Sequence, residues 1–202
     1  MNGGNTNPDE VKTLSQSDEQ LVRAYEHGDV DAFNALFIRY KQSLFGFFRR
    51  RVTDPAVAEE LTQETFIAVL RGVDRYQQTA AFRNYLYAIA YRILRAHRRK
   101  AFFRAGFAGA TSLEQEPASC SSTETDLLMR EVVRMLDRID REVLLLREFE
   151  QLSYAEIAGL LNLPVNTVRS RLFRARTALR SLLTPQPSRA VTGRLKITKE
   201  QA

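Results

Sequence analysis

Residues 152–183 read "LSYAEIAGLLNLPVNTVRSRLFRARTALRSLL", and they decide the fold. Ser153 followed by Glu156 is a capping box: hydroxyl and carboxylate each satisfy an orphan backbone donor, so a helix starts there. Asn162-Leu163-Pro164 is a short turn, and a second, basic helix follows. At 3.6 residues per turn, Val165, Val168, Leu172, Ala175 and Leu179 fall on one narrow stripe, which must face a core. Asn166, Ser170, Phe173, Arg174 and Thr177 take the opposite side, with Arg169 and Arg171 at its flanks. A capped helix, a tight turn and a basic helix predict a helix-turn-helix.

What the arginines touch is a separate question. Residues 162–183 hold five of them and no acid. Such a row serves as a solvated face, a phosphate clamp or a reader of base edges. In a major groove, the early polar residues of the helix meet base edges and its flanking arginines meet phosphates. The candidate contacts are therefore Asn166, Thr167, Arg169, Ser170, Arg171, Phe173, Arg174 and Arg176. Arg174, with Arg169 at the edge, suits a bidentate contact to guanine. Phe173, an aromatic on the polar side, suits a thymine methyl or the sugar–phosphate wall. Arg171, Arg176 and Arg180 read as phosphate contacts or local supports.

Charge points to a second such element. The 202 residues carry a net charge of +6. Phe82 to Arg104 holds seven Lys or Arg and no acid, Pro164 to Leu183 holds five, and the remainder of the chain stands at −6. Two basic segments far apart in sequence point to a polyanion gripped at two places.

The other signals are helical throughout, which makes the expected fold all-α. Ser17 with Gln20 caps a helix ending near Gly28, and Asp29 caps the next, with Phe33, Leu36, Phe37 and Tyr40 at helical spacing. Asp54-Pro55 opens a third helix, to about Arg71. A fourth is expected from about Ala81 to Phe103. Residues 104–122 are small, polar and aperiodic and read as a linker. Thr123 to Leu136 is helical again, and Asp140 is expected to cap the helix after it. The expected organisation is a disordered start (1–15), a helical domain (16–104), a flexible linker (105–122), a helix-turn-helix domain (123–183) and a disordered tail (184–202).

The helix-turn-helix stretch resembles the promoter −35-binding domain of extracytoplasmic-function (ECF) sigma factors. Ser153, Glu156, Ile157, Ala158, Leu161, Pro164, Thr167, Val168, Ser170, Arg171, Leu172, Arg174, Ala175 and Arg176 carry the resemblance. It implies that Arg169, Ser170, Phe173 and Arg174 read the −35 element. Residues 54–76 resemble the polymerase-docking helix of the same family, with Glu60, Leu61, Gln63, Glu64 and Phe66 at the motif positions. The resemblance implies core RNA polymerase as a partner there. It also implies that the loop at about 75–82 and the basic helix after it bind the melted −10 strand, through Arg75, Tyr76, Phe82, Asn84, Tyr85, Tyr91, Arg92, Arg95 and Arg99. Arginines beside aromatics suit that task, because charge follows phosphates and rings stack on unpaired bases. The family usually has Trp, Asn and Asp where this chain has Tyr85, Arg92 and Ala96, so the family's −10 consensus is not carried over. An anti-sigma factor is a further implied partner, and the cytoplasm the implied compartment.

The helix over residues 55–71 is apolar on two sides. Leu61, Thr65, Ala68 and Val69 share one; Phe66, Ile67 and Leu70 lie on another beside Gln63. A helix of that kind is either sandwiched in its domain or reserves one side for a partner.

No chemistry of catalysis is legible. His27 and His97 lie far apart, and His97 falls on an apolar stripe. Cys120 stands alone, which precludes an intrachain disulfide and supplies no zinc set. No phosphate-binding Gly-rich loop, apolar membrane span or secretory signal is expected, and no cofactor. Rival readings are a stand-alone helix-turn-helix regulator and a protein-binding adaptor.

Overall fold

The computed structural model describes residues 16–73, 76, 81–108 and 132–183. The described residues form helices α1 (Asp18–Glu26), α2 (Val30–Arg49), α3 (Pro55–Gly72), α4 (Phe82–Ala108), α5 (Arg138–Glu148), α6 (Tyr154–Leu161) and α7 (Val165–Leu183). Arg75, most of the loop before α4, the expected linker beyond 108, residues 123–131 and both termini lie outside the described residues.

Local chemistry sets the helix starts as the sequence suggests. Ser17 Oγ accepts from Gln20 N at 3.2 Å while Gln20 Oε1 accepts from Ser17 N at 2.8 Å. Gly28, at φ +96°, takes the left-handed turn that releases the chain into α2. Asp29 and Asp54 accept from the first free N–H groups of α2 and α3, and Pro55 stands where its missing N–H costs nothing.

Two expectations need correcting. The cap of α5 is Asp137, whose carboxylate accepts from Ile139 N at 3.0 Å; Asp140 sits one turn later and is buried. The fourth helix does not stop at Phe103 but runs to Ala108. Nothing in residues 104–108 breaks a helix until the backbone has passed Gly106.

α1 to α4 wrap one apolar core. Leu36, Leu44, Phe47 and Phe48 of α2 meet Leu61, Phe66 and Val69 of α3 and Phe82, Leu86 and Leu94 of α4, all buried. Two threonines buried with them, Thr62 and Thr65, donate their hydroxyls to Ala58 O and Leu61 O at 2.7 Å, so neither leaves a polar atom unpaired. A smaller core under α5, α6 and α7 uses Val143, Leu146, Ile157, Val168, Leu172 and Ala175. Leu44→Ala in the first core should cost about 3 kcal/mol. The melting temperature of the full chain should then fall by roughly 10 °C, followed by circular dichroism.

Candidate nucleic-acid interface

The helix-turn-helix is built as its residues dictate. Asn162 ends α6 in the left-handed region (φ 55°, ψ 52°), a conformation Asn tolerates better than most residues. Leu163 N then donates back to Ala158 O at 2.9 Å, and Val168 N donates to Pro164 O at 3.1 Å as α7 begins. Val168, Leu172 and Ala175 are buried, as the stripe requires; Val165 faces outward.

On the opposite side Asn166, Arg169, Ser170, Phe173 and Arg174 are exposed and Thr167 is half-buried. Phe173 keeps 72% of its surface in solvent, so no core contact explains an aromatic there. Ser170 Oγ donates to Thr167 O at 3.0 Å, which fixes its rotamer. The Arg169 guanidinium lies 5.9 Å from the ring centre of Tyr154.

The remaining arginines of α7 divide by partner. Arg171 pairs with Asp140 at 2.8 Å and with Asp137 at 3.6 Å. Arg176 meets Glu148 Oε1 through two nitrogens, at 2.6 and 3.1 Å. These two ion pairs bind α7 to α5. Arg174 reaches Asp140 at 3.3 Å while its side chain stays 60% exposed, so it is steered and still accessible. Asp140 was missed as a site residue, because its partners are 31 and 34 positions away and helical periodicity reaches only three or four.

In the first domain, Arg92, Arg95 and Arg99 are exposed along one side of α4, with Asn84, Tyr85 and Tyr91 half-buried beside them. Burial, with Glu142 nearby, pushes the Tyr91 hydroxyl above the usual tyrosine value. Phe82 and Tyr76 take the core role that suits an aromatic at either position. Both are buried in an aromatic cluster in which Phe82 lies 5.8 Å from Tyr76 and 5.9 Å from Tyr40. Phe82 is thus core, while Tyr76 retains an edge on a cleft of about 650 Å³ between α4 and α6. Tyr85 donates its hydroxyl to Gly72 O at 2.9 Å, tying α4 to the end of α3.

The docking helix is corrected in the same way. Leu61 and Phe66 are 2% and 4% exposed. Phe66 packs on Phe37 at 4.7 Å and edge-on to Phe33 at 6.2 Å, which leaves no face for a partner. Glu60, Gln63 and Glu64 are exposed, and Ile67 is the apolar neighbour that stays outside with them.

One cluster was not foreseen. Arg51, at the end of the first domain's second helix, pairs with Glu142 at 2.9 Å and Glu150 at 2.9 Å, both from the second domain. Arg50 joins Glu150 at 3.1 Å and lies 4.4 Å over the Phe149 ring. Arg98 of α4 meets Glu142 at 3.3 Å. Burial raises the Glu142 carboxyl, but Arg51 and Arg98 outweigh it and hold it below the ordinary value of 4.5. A depressed carboxyl contributes stability that is complete above that value and is lost as pH falls through the lowered one.

Asp140→Ala removes the acid that positions Arg171 and Arg174. It should destabilise the second domain by about 1–2 kcal/mol, since the partners are partly solvated. Thermal unfolding of the full chain would register this as an earlier loss of second-domain structure.

Among the described residues no helix is long and apolar enough to cross a membrane, and no group of side chains is arranged to hold a metal ion. Comparison with known proteins agrees with the geometry. The Sigma-70 region 2 family matches residues 36–102, and the Sigma-70 region 4 family matches residues 126–179. The RNA polymerase sigma-H factor of Pseudomonas aeruginosa is 33% identical over 184 residues, covering 84% of this chain and 95% of that protein. The ECF RNA polymerase sigma-E factor of Escherichia coli K12 is 31% identical over 183 residues, with the same two shares of 84% and 95%. Among solved structures, the sigma factor RpoE bound to the anti-sigma factor NepR from Bartonella quintana shares the fold. Its TM-score is 0.65 at 22% identity, over 78% of this chain and 99% of that one. CnrH in complex with the cytosolic domain of CnrY does so at 0.61 and 24% identity, over 83% and 97%. A region 2 match, a region 4 match and relatives aligned along nearly their whole length leave a stand-alone regulator unfavoured: the chain belongs to the ECF family of RNA polymerase sigma factors.

Proposed function

We propose that the chain binds core RNA polymerase through α3, reads a duplex −35 element with α7 and takes the melted −10 strand on α4. The observation that carries this reading is the outer face of α7. There an exposed Phe173 stands between Arg169, Ser170 and Arg174, while Arg171 and Arg176 are committed to α5. A helix so divided leaves a few side chains for base edges and braces itself with the rest.

At the first domain, Asn84, Tyr85, Tyr91, Arg92, Arg95 and Arg99 supply the −10 surface. Charge follows the phosphates, and the tyrosines offer rings to unstacked bases. Extruding a base costs a few kcal/mol, which stacking and the basic face offset. Glu60, Gln63 and Glu64, with Ile67 among them, form the docking face toward a basic surface of the polymerase; Leu61 and Phe66 support it from below. The domain bounds follow the same reading: 16–104 for core and −10 binding, 105–122 as tether and 123–183 for −35 binding. The chain performs no catalysis, works in the cytoplasm and is a target for an anti-sigma factor, the kind of partner seen on RpoE.

Run-off transcription with purified chain and core polymerase tests the whole. A promoter-specific transcript above core alone is expected, and its absence refutes the reading. Arg174→Ala should cost on the order of 1–3 kcal/mol on the cognate −35 site and relax base choice at one position. An equal loss on all sequences would make Arg174 a phosphate contact instead. Glu60→Lys with Gln63→Ala should weaken core polymerase binding about ten-fold, or about 1.4 kcal/mol, in a fluorescence titration. The melting temperature should not move, because both side chains lie outside the core.

A further inference from the structure

Among the described residues the first core uses α4 only as far as Leu94, yet beyond it the helix carries two uncovered aromatic rings. Phe102 is 67% exposed and Phe103 63%. A lone exposed apolar side chain is ordinary; two adjacent rings on one projecting helix form a patch. At 3.6 residues per turn, Arg92, Arg95, Arg99, Phe102 and Phe103 fall within an arc of about 100°. The rings therefore stand in line with the exposed arginines of the proposed −10 surface. We propose that Phe102 and Phe103 form a further stacking site for unpaired bases, which continues the −10 surface toward the end of α4. The inference rests on the −10 reading above.

Charge selects the class of partner. Phe82 to Arg104 holds no acid, and Arg99, Lys100 and Arg104, all exposed, frame the two rings. Arg104 Nε donates to Lys100 O at 3.4 Å, which lays its side chain back along the helix. Such a frame draws a polyanion. The rings then select its form. A duplex hides the faces of its bases in the stack, and its outer wall is phosphate and sugar, which arginine and lysine meet. A strand with unpaired bases shows those faces, and stacking on an aromatic ring tolerates any base.

The ring geometry gives two places to stack. The ring centres lie 6.3 Å apart and the planes cross at 74°. Rings so crossed do not both stack on one base, so each offers a face of its own. From Arg92 to Phe103 the stripe runs for roughly 16 Å, the length of about five nucleotides at about 3.4 Å each. Tyr85 and Tyr91, half-buried nearer the core, serve bases at the start of this stripe. Phe102 and Phe103 serve those at its end, and the arginines between them follow the phosphates. The projecting end of α4 thus lengthens the unpaired strand that the first domain holds.

The test uses purified holoenzyme, the full chain bound to core polymerase. Its affinity for a fluorescein-labelled, mixed-sequence single strand of about 12 nucleotides is read by anisotropy. Phe102→Ala with Phe103→Ala should weaken binding about ten-fold. The dependence of affinity on salt should not change, because no phosphate contact is lost. Phe102→Tyr with Phe103→Tyr should bind within about two-fold of wild type, whereas Phe102→Leu with Phe103→Leu, apolar but without a ring face, should bind like the alanine pair. Unchanged affinity in the alanine pair overturns the site. Affinity kept by the leucine pair, or an equal loss on the matching duplex, overturns stacking on unpaired bases. Arg95→Ala with Arg99→Ala probes the underlying reading: it should weaken the same strand and flatten the logarithmic salt slope by roughly 1. No change there, or wild-type holoenzyme binding the strand no better than core alone, refutes the −10 reading. A loss there with the alanine pair of phenylalanines inert refutes the stacking site alone.

Discussion

Arg51 is a guanidinium with almost no exposed surface, and both of its carboxylates come from the other domain. Burying such a charge is unfavourable unless its partners are buried with it and aimed at it. Glu142 and Glu150 meet that condition, the Phe47 ring lies 3.9 Å below the guanidinium, and Phe47 O accepts from it at 3.0 Å. The relative placement of the two domains follows from this demand. A rigid planar cation with two fixed acids specifies the register at the junction.

A similar logic divides the arginines of α7. Arg171 and Arg176 are braced by acids, while Arg174, which reaches Asp140 yet keeps 60% of its side chain in solvent, stays available to a polyanion. Asp137, Asp140 and Glu148 of the neighbouring helix and its cap claim Arg171 and Arg176. What is left outward is a short patch around Phe173. The acids thus shape the proposed DNA face, since they decide which positive charges stay free to turn toward it.

Much of this was legible in the sequence where the cause is local. Capping boxes at Ser17 and Ser153, the Asp54-Pro55 start and the Val168–Leu172–Ala175 stripe depend on neighbours within four positions, and all appear as read. Misreadings fell where two residues compete for one local role. Asp137 and Asp140 both precede the same helix, and only the backbone shows which one caps it. Phe66 and Ile67 are adjacent, one in the core and one out, and a helix apolar on two sides does not reveal which. The Arg50 and Arg51 cluster was illegible in principle. Its partners lie 91 to 100 positions away, and two adjacent arginines at a helix end look like any solvated pair.

Helix α4 has 27 residues, of which the core uses those up to Leu94. At 1.5 Å per residue it is a rod of roughly 40 Å, and its last turns project beyond the domain they begin in. The chain therefore leaves the first domain not at its core but from the tip of a boom. Residues 109–122 lie between that tip and the proposed start of the second domain at 123. By covalent geometry alone, such a length of backbone reaches at most about 50 Å. Boom and tether together cover a promoter's spacer, yet also let the second domain fold back. The length of α4 thus sets how far apart two DNA elements can lie and still be held by one molecule.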